Sequence, residues 1–122
     1  MTTEPDSLFT KIIAGEIPSD TVYSDEHIVG FRDINPQAPV HVLFVPRRQI
    51  ATINALEDDD AELVGRMVLA ARRYAAEIGI AEDGFRLVMN CNTHGCQTVF
   101  HIHLHLLGGA QLAGGFGTPR EA

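Results

Sequence analysis

The chain has 122 residues, 45% hydrophobic and 20% charged, which suits one globular domain that buries a core without disulfide or metal staples. Sixteen Asp and Glu against nine Lys and Arg leave a formal charge of -7, which argues against nucleic acid or an anionic membrane as partner. No apolar run is long enough to span a membrane, no signal-peptide pattern opens the chain, and two cysteines make no secreted framework. The expected compartment is therefore the cytoplasm, and 1–122 reads as a single domain with an ordered core over about 7–112 and loose ends.

Asp6 or Ser7 can cap a short helix running through Ile13, with Gly15 as its stop. Thr21–Ser24 and His27–Arg32 read as short strands around a turn at Asp25-Glu26. Two prolines and an Asn-Pro step make Asp33 to Pro39 a loop, and Val40–Val45 is a strand closed by Pro46. Leu63, Met67, Ala70, Tyr74 and Ile78 recur at helical spacing before Gly79, so the main helix lies there. The acidic run Glu57 to Glu62 reads as its solvated start, where the helix dipole favours negative charge. Phe85–Met89 and Val99–Leu107 are the last two strands, the second ended by Gly108-Gly109. One long helix, one short helix and about five antiparallel strands make an α+β domain.

His101-Ile102-His103-Leu104-His105 alternates strictly, which on a strand would line all three imidazoles along one face about 7 Å apart. Phe100, Ile102, Leu104 and Leu106 would enter the core on the other. Packing alone does not call for this pattern, because a buried imidazole needs hydrogen-bond partners. Two chemistries use it: a metal site, since His-x-His on a strand chelates, and metal-free catalysis with one imidazole as nucleophile. From Gly84 to Arg120 there is no Asp or Glu, whereas a catalytic zinc site usually wants a nearby carboxylate. Neutral donors suit an anion instead, and an imidazole is largely unprotonated at pH 7 and ready to attack phosphorus. The spacing of Cys91, His94 and Cys96 fits no usual zinc pattern, and a Cys91–Cys96 disulfide is disfavoured in a reducing cytosol.

His101 to Leu107 resembles the histidine triad (HIT) motif, His-φ-His-φ-His-φ-φ with φ apolar. The likeness extends to Phe9–Ile13 with Glu16-Ile17-Pro18, to Phe31–His41, to Asn90 and Gly95–Val99, and to Gly108-Gly109, which is similar to the Hint branch of nucleoside phosphoramidate hydrolases. It covers about residues 8 to 111 and implies a HIT-like fold. It further implies metal-independent hydrolysis of purine nucleoside phosphoramidates, such as adenosine 5′-phosphoramidate or lysyl-AMP, with no cofactor. A purine nucleotide (AMP or GMP) or phosphoramidate would be the ligand and a homodimer the assembly. His103 would be the nucleophile, with His101 and His41 holding its tautomer and His105 on the α-phosphate. Asp33 would meet the ribose hydroxyls, and Phe9, Ile12, Phe31 and Ile34 the purine. Asn90, Gln97, Thr98 and the Val99 N–H complete the nucleotide set. The alternatives are a dinucleoside polyphosphate hydrolase of the Fhit branch and a non-catalytic purine nucleotide-binding protein.

Four departures from the family's pattern stand out. Ser7, Thr10 and Gln49 occupy places where some members bind structural zinc, so that site is absent. Cys96 stands where the Hint branch usually has Gly, and Thr98 where it has Ser. The tail after Gln111 lacks the Trp that shapes the leaving-group pocket across the dimer.

Overall fold

Ser7 does cap the first helix. In this computed structural model, which describes residues 5–119, its hydroxyl accepts the Thr10 N–H at 2.9 Å and α1 runs Leu8–Ile13. The looseness expected of the termini falls partly on 1–4 and 120–122, outside the described residues. Asp25 forms the first turn, its Oδ1 accepting the His27 and Ile28 amides at 2.8 Å between β1 (Thr21–Ser24) and β2 (Ile28–Arg32). β3 (Val40–Pro46), β4 (Arg86–Val88) and β5 (Leu104–Gly108) follow, and the five form one antiparallel sheet in the order β1-β2-β3-β5-β4. The helix α2 spans Ala61–Glu77.

Alternation along the strands gives the sheet two different faces. Val42 and Phe44 of β3 and Leu104 and Leu106 of β5 are buried with Ile28 and Ile102 against Met67, Ala70, Ala71 and Tyr74 of α2. Each of the Val, Leu, Ile, Phe and Met side chains among them contributes roughly 1.5–3 kcal/mol by leaving water. The opposite face carries Phe31, Leu43 and Val45 with Phe9 of α1. His41 pairs with Leu107 and Leu43 with His105 in the β3–β5 register, so alternation puts His41 and His105 on this second face. Gly30 admits the core ring of Phe44, because a Cβ there would lie 2.9 Å from Phe44 Cε1.

The chain departs from expectation in three places. The last strand begins at Leu104 rather than Val99; residues 97–103 bend beyond the end of the β3–β5 ladder, tied by the Ile102 N–H to the Ile50 carbonyl at 2.8 Å. Strict alternation therefore fails upstream, and Phe100, expected in the core, is exposed. The strand expected over Phe85–Met89 is trimmed to three residues. The acidic helix start is solvated at Asp58 and Asp59, but Asp60 is buried: it caps the Glu57 N–H at 2.9 Å and pairs with Arg48.

Candidate active site

Four histidines meet on the face opposite α2; main-chain groups fix the proton on three of them, and the ring of His41 fixes that of His105. His103 Nδ1 lies 2.8 Å from the His101 carbonyl, which can only accept, so Nδ1 carries the proton and Nε2 keeps a free lone pair. His101 Nε2 lies 2.7 Å from the Pro46 carbonyl and carries its proton for the same reason. Its Nδ1 is then an acceptor, facing the Ser7 hydroxyl at 2.7 Å. His41 is the reverse of His103. The Gln37 amide donates to its Nδ1 at 3.0 Å, so the proton sits on Nε2 and points at His105 Nδ1, 2.9 Å away. His105 must then hold its proton on Nε2, and that buried atom has no partner among the described residues. A free nucleophilic nitrogen on His103 and an unused N–H on His105 thus stand side by side, with ring centroids 5.0 Å apart.

All three triad imidazoles are held neutral. Burial pushes the His101 pKa down, and the neighbouring His103 adds to this against the pull of the Pro46 carbonyl. Burial likewise lowers His103, opposed by the His101 carbonyl and the Asp33 carboxylate. His105 falls to about 4, from burial first and then from His103 and His41.

Asp33, His41 and His105 place one potential ligand atom each within 4.8 Å of one another. The donor set is suited to a transition metal, but the tautomer is not. A metal on His41 Nε2 would force the ring proton onto Nδ1, against the Gln37 N–H already aimed there. Asp33 Oδ2, 3.5 Å from His41 Nε2, instead supplies a charge beside the ring, while its Oδ1 accepts the Asn35 amide at 2.8 Å.

Phe9 and Phe31 lie edge to face at 5.3 Å, and Phe9 also abuts His103 at 5.0 Å and His101 at 5.8 Å. Ile12 and Val99 pack against the same cluster. Ile34, at 99% exposure, stands free of it on the loop after β2. Asn90 is half-buried, near Gly95, and Thr98 is exposed. Gln97 has its side chain fully engaged, within its own loop and with the segment after β3: Oε1 accepts the Asn92 amide at 2.9 Å and Nε2 donates to the Val99 and Ala51 carbonyls. It shapes the loop that presents Thr98 and Val99. Cys91 and Cys96 are unbonded, and Cys96 adopts φ 64, the left-handed region natural to Gly. A concavity of ≈ 640 Å³ between Gly79–Arg86 and Gly109–Leu112 lies elsewhere and is lined by none of the histidines.

Two expected contacts differ. His101 holds the His103 tautomer through its carbonyl rather than its ring, because the ring is pinned between Pro46 and Ser7. His41 bonds to His105, not His103, since β3 and β5 are adjacent and His105 lies opposite Leu43. Sequence reasoning missed Gln37 and Pro46, which act through main-chain atoms and leave no side-chain signal. It placed Ser7 as a helix cap and, with Thr10 and Gln49, at the positions of a zinc site that this chain lacks, and did not connect it to His101.

The HIT domain family model matches residues 14–112. The purine nucleoside phosphoramidase of Escherichia coli (strain K12) is 51% identical over 107 residues, 88% of this chain and 90% of that protein. Among solved structures, a HIT family hydrolase from Legionella pneumophila is 51% identical with TM-score 0.86, covering 88% of this chain and 96% of that one. A histidine triad protein from Clostridium difficile is 36% identical with TM-score 0.89, covering 94% and 100%.

Proposed function

Since the chain belongs to the HIT domain family, we propose that it hydrolyses purine nucleoside 5′-phosphoramidates, without a metal, through a nucleotidyl-histidine intermediate. The observation that carries this is the His103 ring: Nδ1–H is held by the His101 carbonyl, and Nε2 is left unprotonated beside the unpartnered His105 N–H. Nε2 of His103 attacks phosphorus, the P–N bond to the amine breaks, and the amine departs having taken up one proton. Water then attacks the same phosphorus, the P–Nε2 bond breaks, nucleoside monophosphate leaves, and the water's second proton replaces the one consumed. The His105 Nε2–H donates to a phosphoryl oxygen as charge builds there, and such fixed donors are worth most in a dry site.

In this reading Asp33 takes the ribose hydroxyls; Phe9, Phe31, Ile12 and Ile34 hold the purine; Asn90, Thr98 and the Val99 N–H hold the phosphate. The resemblance further implies a homodimer working in the cytoplasm; among the described residues no helix is long and apolar enough to cross a membrane. The test is hydrolysis of adenosine 5′-phosphoramidate by wild type and His103→Ala. Loss of turnover with AMP binding retained is expected, and turnover within tenfold of wild type would remove His103 as nucleophile. A higher kcat/KM on a dinucleoside polyphosphate than on the phosphoramidate would move the protein to that substrate class.

A further inference from the structure

Behind the triad lies a chain of hydrogen bonds whose every direction is determined. His101 Nδ1 must accept, so the Ser7 hydroxyl donates to it at 2.7 Å. The Ser7 oxygen accepts from the Thr10 amide at 2.9 Å. Thr10 Oγ1 donates to Gln49 Oε1 at 2.7 Å, the same oxygen accepts the Ser7 amide at 2.8 Å, and Gln49 Nε2 donates to the Pro5 carbonyl at 2.9 Å. This network joins three distant parts of the chain: the start of α1, the segment after β3, and the nucleophile's neighbour. A helix of six residues does not hold its position by itself. Gln49 ties it down, and with it Phe9, which touches both His101 and His103.

We infer that Ser7, Thr10 and Gln49 are positioning residues for the reaction: they lock His101 as the neutral Nε2–H tautomer, so that its carbonyl stays aimed at His103 Nδ1–H and His103 Nε2 stays free. This rests on His103 being the nucleophile. The lock works from both ends of one ring. With Nε2–H on Pro46 and Nδ1 on Ser7, His101 can neither turn nor take a second proton without losing a hydrogen bond in a buried site. The titratable neighbour that feels its charge is His103. An imidazolium at 101 would draw electron density from the nucleophile, and a mobile ring would release its carbonyl.

Three substitutions separate this from a plain capping role. Ser7→Asp keeps a good N-cap but presents an acceptor where Nδ1 needs a donor. His101 should then carry protons on both nitrogens at pH 7, seen in ¹H–¹⁵N correlation of the ring, and kcat should fall about tenfold or more with an unchanged melting temperature. Ser7→Thr keeps the hydroxyl and should restore both the tautomer and turnover. Gln49→Leu releases the Ser7 amide and the Thr10 hydroxyl and frees α1, so it should raise KM for the nucleotide through Phe9 and also lower kcat through the loosened Ser7–His101 bond. A Ser7→Asp protein with His101 doubly protonated and wild-type kcat overturns the inference, as does a wild-type His101 found with its proton on Nδ1. The ring spectra are read on the protein without substrate. If wild type fails to hydrolyse phosphoramidates while the ring spectra are as stated, the substrate assignment is what falls.

Discussion

Acidification should weaken the fold through His105 more than through any ordinary histidine. In the unfolded chain this residue takes a proton near pH 6.5, whereas in the folded protein burial and the neighbouring His103 and His41 hold it off until about 4. The stabilisation is therefore complete above pH 6.5, is lost as pH falls from 6.5 to 4, and declines no further below that. Within the window the unfolded state binds one more proton than the folded state, so stability drops by up to ~1.4 kcal/mol per pH unit, about 3 kcal/mol in all. Against a typical domain stability of ~5–15 kcal/mol that is a large fraction. His101 and His103 are shifted in the same direction and steepen the slope. The assay is urea denaturation followed by far-ultraviolet circular dichroism, at one protein concentration, for wild type and His105→Gln between pH 4 and 7.5. The variant should show the shallower dependence, the two curves diverging by about 3 kcal/mol across the window. Parallel curves, or an NMR titration that places His105 near 6.5, would refute the burial argument.

Cys96→Gly should stabilise the fold by about 1 kcal/mol, because φ 64 strains a residue with a Cβ and not one without; the urea midpoint reads it. His41→Leu removes the ring partner of the half-buried His105 Nδ1 and of the exposed Gln37 N–H, which water can still reach, costing ~1–3 kcal/mol in all. The same change frees His105 to move its proton to Nδ1, so kcat/KM should fall along with the melting temperature. Calorimetry and steady-state kinetics on one preparation check both effects.

Element type was legible where a side-chain pattern carried it. Ser7 as a cap, the β-branched run of β3 and the helical spacing of Met67, Ala70 and Tyr74 all survive in the structure. Residues 99–103, expected in the last strand, lie off the ladder although the His-apolar alternation runs through 101–103: Gln97, bonded to the Asn92 amide and to the Ala51 and Val99 carbonyls, holds the chain in a bend before the ladder begins at Leu104. The histidines were legible as a cluster, and their division of labour was not. Which nitrogen carries the proton on each depends on three main-chain groups, the carbonyls of Pro46 and His101 and the amide of Gln37. A main-chain atom is the same in every residue, so no sequence signal marks it. Ser7, Thr10 and Gln49 do have side chains in the network, but Gln49 lies 39 residues from Thr10 and 42 from Ser7. The resemblance grouped the three as positions of a zinc site this chain lacks, and the folded chain shows that they meet the His101 ring instead.

The net charge of -7 can now be weighed against the site it surrounds. From Asn90 to Gln111 the chain carries neither a carboxylate nor a Lys or Arg, and the triad imidazoles are neutral at pH 7. A bound phosphate would therefore meet oriented N–H dipoles rather than opposite charges. Such contacts act over hydrogen-bond distance and are hardly screened, whereas the protein's overall charge repels an anion from farther out than the ~10 Å Debye length at 0.1 M salt. Added salt screens that repulsion and leaves the dipoles unaffected. AMP affinity, measured by calorimetric titration at pH 7.5 from 0.05 to 0.5 M salt, should stay flat or rise by up to about threefold. A Lys or Arg clamp has the opposite sign, and a steep fall in affinity with salt would mean that a cation outside this segment holds the phosphate.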